Sequence, residues 1–408
     1  MDILINSPSS ALPHQLSFLD LNDDCLFEIM TYLSLRDLIF TSAVCTRFGA
    51  NAQRLFPHKL QISNNSLENV STTKSFLPQI GDFLTEVEVI FNYWEGQLIS
   101  MNEIMELLKT YCENLKIIHL QHWRCEDQQI QLEHLEELIH FSELESLTIT
   151  FSHTTHIDGS FLMKLSKLKE LRLENCSMDL THLQSCLQNL KATLKTLSLK
   201  SCFDEFLEVL IEDIDQIATM SQLELKLNSV PTSFIHSNLF NRLTSLTLAN
   251  CSTSIDVEKL FSSFIEHNKI QEISFSSVVS QKPLNYRSTV QQLQRLTNLR
   301  RLDFAEDDFV TDAFLAEISK GQKLTHFSYI SSYRPLLSFG AFLTLNGPKL
   351  QKSSYNVYHD IIVGDPKCES KMELMANYRK TKQFQRISKC KEAINSKLTF
   401  VEFLFKKL

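Results

Sequence analysis

Glycine is scarce in this sequence: only 8 of the 408 residues are glycine, about 2% against roughly 7% in average proteins. Phosphate-binding loops, dinucleotide-binding turns and the nucleophile elbow of hydrolases need glycine where the backbone takes a positive φ or approaches a ligand closely. The sequence contains no GxGxxG, GxxxxGK[ST] or GxSxG motif. Its composition therefore argues against glycine-dependent nucleotide and hydrolase chemistry.

Other signals are missing as well. No two cysteines are spaced as CxxC, and no segment approaches the about 18 uninterrupted apolar residues of a membrane span. The first 16 residues lack the basic and continuous apolar regions of a secretory signal. The net charge of −8 at pH 7 provides no overall attraction to nucleic acid or to anionic membranes. We therefore expect reduced thiols, a cytoplasmic or nuclear location, no nucleic-acid partner and no membrane partner.

A six-residue pattern, LxxLxL, recurs through most of the chain. Its copies begin at Leu84, Leu115, Leu144, Leu168, Leu194, Met220, Leu243, Ile270, Leu299 and Leu324, and a degenerate copy begins at Leu350. Successive copies are about 27 residues apart, within the range of roughly 20–29 residues that is typical of leucine-rich repeats. Because one strand and its connection cannot bury an apolar face alone, stacked copies would share one core and one parallel sheet. The pattern predicts a solenoid.

Two further features fit such repeats. Three residues after the last apolar position of four copies stand Cys176, Cys202, Asn228 and Cys251. Leucine-rich repeats carry Asn or Cys at this position, where the side chain turns inward and satisfies backbone groups of the loop. Between the copies, segments such as "FLMKLSK" and "HLQSCLQNL" have helical apolar spacing. We therefore expect helices on the convex side of the solenoid.

The residues that alternate with the leucines are expected to face the concave surface. They are mostly polar and of mixed charge, which favours a protein-binding surface over a phosphate-binding groove. Alternatively, they only keep an exposed sheet soluble. The candidate target-binding residues are Glu86, Glu88, His119, Thr148, Arg172, Ser198, Lys226, Thr247, Ser274, Arg301 and Asp303.

Residues 17–58 do not follow the repeat and have the apolar spacing of short helices. Asn22 or Asp23 can cap a first helix, Ser34 can open a second, and a third ends before Pro57. These helices carry more apolar side chains than they can bury among themselves, which indicates a binding interface. Alternatively, part of that apolar set packs against the first turn of the solenoid.

This helical segment contains Leu21, Ile29, the "YL" pair at 32–33, "RDL" at 36–38 and "VCTRF" at 44–48. With these residues it resembles an F-box, the module that docks on the Skp adaptor of cullin-based ubiquitin ligases. Two positions depart from the family pattern: Asn22 stands where the family usually has Pro, and Phe48 stands where it usually has Trp. Asn and Phe can keep the capping and packing roles of those positions.

The whole chain resembles an F-box protein with leucine-rich repeats. The resemblance implies a non-catalytic substrate-receptor subunit of a Skp–cullin–F-box ubiquitin ligase, which reaches cullin and RING subunits through the adaptor and holds an unknown target on the concave face. It implies no cofactor and no metal. The adaptor-binding residues that it implies are Leu21, Leu26, Ile29, Leu33, Leu38, Val44 and Phe48.

Two other functions are compatible with parts of the pattern. A leucine-rich-repeat protein could bind or inhibit a partner without promoting its degradation. An enzyme would need a convergent set of titratable residues in a pocket, and the sequence does not indicate such a set.

The sequence therefore predicts an α/β fold: a short helical F-box followed by a leucine-rich-repeat solenoid with parallel strands on the concave face and helices on the convex face. The "KLQI" segment at 59–62 would join the two parts. The basic C-terminal tail has helical spacing and is predicted to cap the far end, the alternative being a nuclear-import signal or a patch for an acidic partner. The predicted divisions are a flexible N-terminus at 1–16, the F-box at 17–58, a solenoid of ten to eleven repeats at 59–364, and a helical cap or tail at 365–408.

Several histidines have metal-like spacing. His119 and His122 precede Cys125, and His153 precedes His156. Structural zinc takes four ligands, and the expected strand alternation would not bring a fourth ligand near either group. We therefore predict no metal site.

Two tryptophans follow predicted strands in neighbouring repeats. Trp94 and Trp123 would lie near one rim of the solenoid. Exposed aromatic side chains there would form a hot spot for a partner, because aromatic residues dominate the energy of many interfaces. The alternative is that they fill the longer loops of the early repeats.

Overall fold

The fold in the computed structural model is a mixed α/β solenoid with a helical head at its N-terminal end, as predicted. The predicted flexible segment at 1–16 lies outside the described residues, as do Trp94, Cys125, Asn228 and Cys251. The structure describes residues 20–64, 67–93, 100–124, 133–202, 207–226, 238–249, 257–264, 269–276, 286–305, 314, 324–331, 352–360, 384–392 and 398–407.

The helical head consists of three short helices, α1 (Asp23–Met30), α2 (Leu35–Ser42) and α3 (Thr46–Gln53). The Asn22 side chain caps α1 by accepting a hydrogen bond from the Cys25 N–H at 2.8 Å. The Ser34 hydroxyl caps α2 by accepting from the backbone N–H of Asp37 at 3.2 Å. Side-chain oxygens at these positions satisfy backbone donors that have no partner within the helix. Both predicted caps are confirmed.

Each copy of the LxxLxL pattern forms one strand, which begins two residues after the first apolar residue of the copy. The strands pair in chain order from β1 to β12, all parallel, and the sheet ends in the order β12-β14-β13. The strands are β1 (Lys59–Ser63), β2 (Glu86–Tyr93), β3 (Ile117–Arg124), β4 (Ser146–His156), β5 (Glu170–Ser177), β6 (Thr196–Lys200), β7 (Gln222–Lys226), β8 (Ser245–Ala249), β9 (Glu272–Ser276), β10 (Arg301–Ala305), β11 (His326–Ser331), β12 (Lys352–Asp360), β13 (Phe384–Glu392) and β14 (Leu398–Lys407).

The core lies behind this sheet. In β5, for example, Leu171 and Leu173 are fully buried while Arg172 and Glu174 are half-buried on the other face. The strands pair in register, so the buried residues of adjacent copies stack directly on one another, as Leu171 does on Leu197. Burying a leucine contributes about 1.5–3 kcal/mol. The sharing of this core among neighbours makes each repeat depend on the next.

Helices form the convex layer, as predicted. The "HLQSCLQNL" segment lies within an α-helix, whereas "FLMKLSK" lies largely within a tighter 3-10 helix at Gly159–Lys164. Two other 3-10 helices, at Glu133–His140 and Asn238–Asn241, occupy equivalent connections. The remaining α-helices are α4 (Leu67–Ile80), α5 (Met101–Tyr111), α6 (Leu180–Asn189), α7 (Leu207–Asp215), α8 (Val257–Ser263) and α9 (Tyr286–Arg295).

The helical head and the solenoid share one apolar core. Leu38 and Ile39 of α2 and Phe56 after α3 belong to the same buried cluster as Ile62 of β1. The Phe56 ring also meets the Phe83 ring edge-on, with centroids 5.3 Å apart. Strand β1 contains the predicted joining segment and pairs with β2. Part of the apolar set of the head therefore packs against the first solenoid turn, which was one of the two expectations.

The thiol of Cys176 in β5 and the thiol of Cys202 after β6 turn inward, as predicted. Asn175 and Ser201 precede them with φ values of 56° and 51°, in the left-handed region that breaks the regular strand alternation. The Cys176 thiol donates to the carbonyl oxygen of Ile149 at 3.6 Å, and the Cys202 thiol donates to that of Leu173 at 3.2 Å. Each thiol thus bonds to the preceding repeat, so these cysteines are structural links between turns.

The C-terminal part departs from the prediction. Segments at 384–392 and 398–407 were expected in a helical cap, but they are the strands β13 and β14. Strand β14 pairs antiparallel with β12, and β13 pairs antiparallel with β14. The physical reason is that the last parallel strand of a solenoid leaves backbone groups open at its edge, and a hairpin rich in aromatic and β-branched residues satisfies them.

Candidate protein-binding surfaces

The helical head exposes four large apolar side chains. Ile29, Tyr32, Phe40 and Val44 are 41%, 81%, 62% and 67% exposed. Helix α1 buries Leu26 and Met30 one turn apart, and this places Ile29 towards solvent. We call this set of Ile29, Tyr32, Phe40 and Val44 the head patch. Large apolar side chains left in water are candidates for burial by a partner.

The predicted adaptor-binding residues fall into three groups. Ile29 and Val44 lie in the head patch. Leu21, Leu33 and Phe48 are half-buried, and Leu33 and Phe48 pack against the common core.

Leu26 and Leu38 were predicted as contacts, but they are 2% and 6% exposed. Their burial corrects that assignment: these two residues stabilise the head and present almost no surface to a partner. The cause is the 3.6-residue period of the short helices, which points one stripe inward and leaves the opposite side to solvent.

Tyr32 and Phe40 were not among the predicted contacts. Phe40 lies on the side of α2 opposite the buried Leu38 and Ile39, and the Arg36 guanidinium carbon lies 5.7 Å from its ring centroid. Tyr32 directly follows α1. Phe40 follows the buried Leu38 by two residues, or about 200° of helical rotation, so its outward position follows once the buried side of α2 is known.

Polar contacts fix the first helix of the head to the third. The Arg47 Nε lies 2.7 Å from the Asp23 Oδ1, and another Arg47 nitrogen donates to the backbone carbonyl of Leu21. The Asn51 amide donates to Asp23 at 3.4 Å. The hydrogen bond from Arg47 lowers the pKa of the Asp23 carboxyl below its usual value. These contacts tie the start of α1 to α3.

The concave face contains every predicted target-binding residue. The strand register aligns eight of them in one row across the sheet, namely Glu88, His119, Thr148, Arg172, Ser198, Thr247, Ser274 and Asp303. Glu224 occupies the position between Ser198 and Thr247 in this row. Glu86 and Arg301 lie in the row towards the strand starts, and Lys226 lies in the row towards the strand ends.

Ion pairs and hydrogen bonds neutralise much of this surface. Arg172 lies 2.5 Å from Glu170 of its own strand and 3.4 Å from Glu224, two strands away. Lys200 pairs with Glu224 at 2.9 Å, and the Ser198 hydroxyl donates to Glu224 at 2.8 Å. Ser198 is only 2% exposed. It was predicted as a target contact and is instead covered by this network, because the long side chains on both sides close over its short one.

The two ends of the face also contain paired charges. Near the head, Glu86 pairs with Lys59 at 2.6 Å and lies 3.6 Å from the His119 ring. Towards the far end, Arg301 pairs with Asp303 at 2.5 Å. Among the described residues, Lys226 has no ion-pair partner. The cations of the face are therefore mostly occupied by neighbouring carboxylates.

The histidines with metal-like spacing point in different directions. His119 is half-buried on the concave face, while His122 is 1% exposed in the core. The His122 ring stacks on Phe151 with centroids 4.5 Å apart and lies 5.3 Å from the His134 ring. Burial, and secondarily His134, hold the pKa of His122 well below its usual value. Within the described ranges, no group of three or more His, Cys, Asp or Glu residues is arranged to hold a metal ion.

Comparisons with known proteins agree with the two-part organisation. The F-box domain model matches residues 18–52, which contain all three helices of the head up to Ala52. A comparison with curated proteins found no match to the sequence.

No helix of the described residues is long and apolar enough to cross a membrane.

Solved structures that resemble the chain include an internalin from Listeria monocytogenes and the leucine-rich repeat-containing protein LegL7 from Legionella pneumophila. The internalin is 13% identical, with 74% of this chain and 93% of the internalin covered and a TM-score of 0.36. LegL7 is also 13% identical, with 72% of this chain and 100% of LegL7 covered and a TM-score of 0.43. Scores this low do not establish the fold, which the parallel in-register strands show directly.

The chain therefore has two parts, a module of three short helices and a solenoid of stacked parallel strands. More particularly, it carries an F-box domain at 18–52 followed by leucine-rich repeats.

Proposed function

We propose that this protein is the substrate-receptor subunit of a Skp–cullin–F-box ubiquitin ligase. The observation that carries the proposal is the coincidence of the F-box match with the head patch, since Ile29, Tyr32, Phe40 and Val44 all lie within residues 18–52. F-box domains generally bind Skp-type adaptors. Docking on the adaptor would remove these four side chains from water, and apolar burial contributes about 25 cal/mol per Å².

In this proposal the adaptor contacts are Ile29 and Val44 together with Tyr32 and Phe40. The half-buried Leu21, Leu33 and Phe48 would contribute at the edges of the interface. Aromatic side chains at the centre of an interface commonly dominate its affinity. We therefore expect Tyr32 and Phe40 to contribute more than the aliphatic residues.

The concave face would hold the target protein. Adaptor docking at one end and target binding along the sheet would place a target lysine near a ubiquitin-loaded enzyme. A rise in effective concentration speeds transfer without chemistry in this chain. The common core of the head and the solenoid supports the proposal, because a stiff connection keeps the target at a defined distance from the adaptor.

Co-purification with a Skp adaptor tests the proposal. The double variant Y32A/F40A should weaken adaptor binding at least tenfold in a binding titration, while its melting temperature stays near that of the wild type. The variant W123A removes an exposed aromatic residue from the solenoid and is the matched control, so its adaptor affinity should not change.

Equal adaptor binding by Y32A/F40A and the wild type would contradict the proposed interface. Point variants are preferable to deletion of the head, because Leu38, Ile39 and Phe56 belong to the solenoid core and their removal would expose it. If the adaptor binds but the abundance of bound partners in cells is unchanged in Y32A/F40A, the protein acts as a binding scaffold without ubiquitin transfer.

A further inference from the structure

Trp123 is an exposed aromatic residue on the concave face. In β3, the buried Ile118, Leu120 and His122 alternate with residues that face the concave side, and Trp123 continues that outward series. It is 51% exposed and lies in register with Asn92 of β2. Its ring makes no contact with another ring or cation of the described residues. A large aromatic side chain left this open on a recognition surface is available to a partner.

Two carboxylates on the same part of the concave face form no ion pair with a described residue. Glu88 of β2 accepts a hydrogen bond from Gln121 at 2.8 Å, and the nearby Lys59 forms its ion pair with Glu86 although it also attracts Glu88. Glu174 of β5 forms no ion pair with a described residue, because its cross-strand neighbour Lys200 pairs with Glu224 instead. The neighbouring acids differ, since Glu86 is paired with Lys59 and Glu170 with Arg172. This part of the face therefore has an excess of negative charge.

The register gives the spacing of these groups. Glu88 is in register with His119, four residues before Trp123, and Glu174 is two strands from Gln121. With strands about 4.8 Å apart and about 3.3 Å per residue, the backbone of Trp123 is about 14 Å from that of Glu88 and about 12 Å from that of Glu174. Four residues of an extended peptide span about 13 Å. Cationic side chains at positions i and i+4 of such a peptide match both distances.

We propose that Trp123, Glu88 and Glu174 form a binding site for an extended cationic segment of the target protein. One Lys or Arg side chain lies over the Trp123 indole and a second, four residues away, pairs with Glu88 or Glu174. Tryptophan is the best aromatic partner for a cation, and the unpaired carboxylates supply charge complementarity. The proposal rests on the proposed function, in which the concave face holds the target, and it names the chemical class of that target.

Fluorescence anisotropy with labelled peptides tests the site on the full-length chain. The probe is a 13-residue Gly/Ser peptide with Arg at two positions four residues apart. Its controls carry citrulline in place of Arg, Glu in place of Arg, or two adjacent Arg residues. We expect the i,i+4 Arg peptide to bind at least fivefold more tightly than every control peptide and to weaken as salt rises. The variants W123A and E88Q/E174Q should each lower its affinity at least fivefold.

The matched control is E272Q, which removes a carboxylate from the same face on β9. Its affinity for the Arg peptide should stay within twofold of the wild type. No binding of the Arg peptide, equal binding of the citrulline or Glu peptide, or the same loss in E272Q would overturn the proposal. If the wild-type chain is a dimer and W123A is a monomer, the surface around Trp123 binds a second copy of the chain. That result would also overturn the proposal.

Melting temperatures establish that the variants are folded. If W123A fails to fold, the isosteric E88Q/E174Q variant decides the outcome alone. Adaptor binding by the head patch is an independent measurement. If the chain binds the adaptor but not the Arg peptide, the proposed function stands and the cationic-segment site is refuted. If it binds the Arg peptide but not the adaptor, only the ligase role is refuted.

Discussion

Arg172 and Glu224 are 52 positions apart in the sequence, and their side chains meet 3.4 Å apart on the concave face. Strand β6 lies between them, and its Ser198 hydroxyl donates to the same Glu224 oxygen at 2.8 Å. One carboxylate thus links three successive repeats. Such bridges join neighbouring turns on the solvent side, while the leucines join them in the core.

The Glu224 bridge predicts a measurable loss of stability in E224A. The buried Ser198 hydroxyl loses its acceptor, and Arg172 and Lys200 lose a shared partner. We expect the free energy of unfolding to fall by about 1–2 kcal/mol. Urea denaturation followed by circular dichroism measures the change. The control E272A removes a more exposed carboxylate of the same face and should shift the midpoint little; equal shifts in both variants would contradict the role of Glu224.

Gly81 permits close approach of two backbone segments. A Cβ atom at this position would lie 2.1 Å from the backbone oxygen of Tyr111. Because backbone cannot move aside without disturbing the core, G81A should lower the free energy of unfolding by about 2 kcal/mol or more.

The variant G49A is the matched control for G81A. Its Cβ would lie 3.1 Å from the Ser42 oxygen, and the helical preference of Ala offsets this crowding by about 1 kcal/mol. Thermal denaturation should therefore show a marked decrease for G81A and a small change for G49A. Similar melting temperatures for the two variants would refute the prediction.

The buried His122 predicts a loss of stability in acid. Burial lowers its pKa in the folded state, whereas the unfolded chain has the ordinary value of about 6.5. Below that pH the unfolded state binds a proton that the folded state does not, so the free energy of unfolding falls by up to about 1.4 kcal/mol per pH unit.

Denaturation of H122Q between pH 7.5 and 5 checks this sign. The variant should show a shallower decline of stability with acid than the wild type. The variant H153Q changes an exposed histidine and should keep the wild-type slope. A slope unaltered in H122Q would show that the imidazole is protonated equally in both states.

Exposed and buried cysteines should differ in their rate of alkylation. Burial raises the pKa of the Cys112 and Cys186 thiols to about 12, while Cys25 is exposed. Since the thiolate is the nucleophile, iodoacetamide at pH 8 should modify Cys25 and spare the two buried thiols in the folded chain. Peptide mapping by mass spectrometry measures this, and a urea-unfolded sample, in which all three react, is the control. Rapid modification of Cys186 in the native protein would contradict its burial.

Much of the fold was predictable because it depends on local patterns. The ten LxxLxL copies became ten strands with a common register, and the inward thiols at 176 and 202 bond to the preceding repeat as expected. The caps at Asn22 and Ser34 were also predictable, since a cap involves only residues two or three positions away.

The sites were less predictable because exposure depends on distant partners. The residue types of Leu26 and Leu38 do not distinguish a core position from an interface position, and Phe40 gives no signal until the buried side of α2 is known. Ser198 is covered only because Arg172 and Glu224 approach from neighbouring strands. Helical spacing in the tail was overridden by the open edge of β12, which pairs with β14.

The sequence by itself determined the repeat, its register and the helical module at the front, because period and capping act over a few residues. Only the tertiary structure decided which apolar side chains of the head remain in water, which charges on the concave face neutralise each other, and which of its carboxylates form no ion pair. Those outcomes depend on contacts between residues tens of positions apart, and these contacts form only once the turns are stacked.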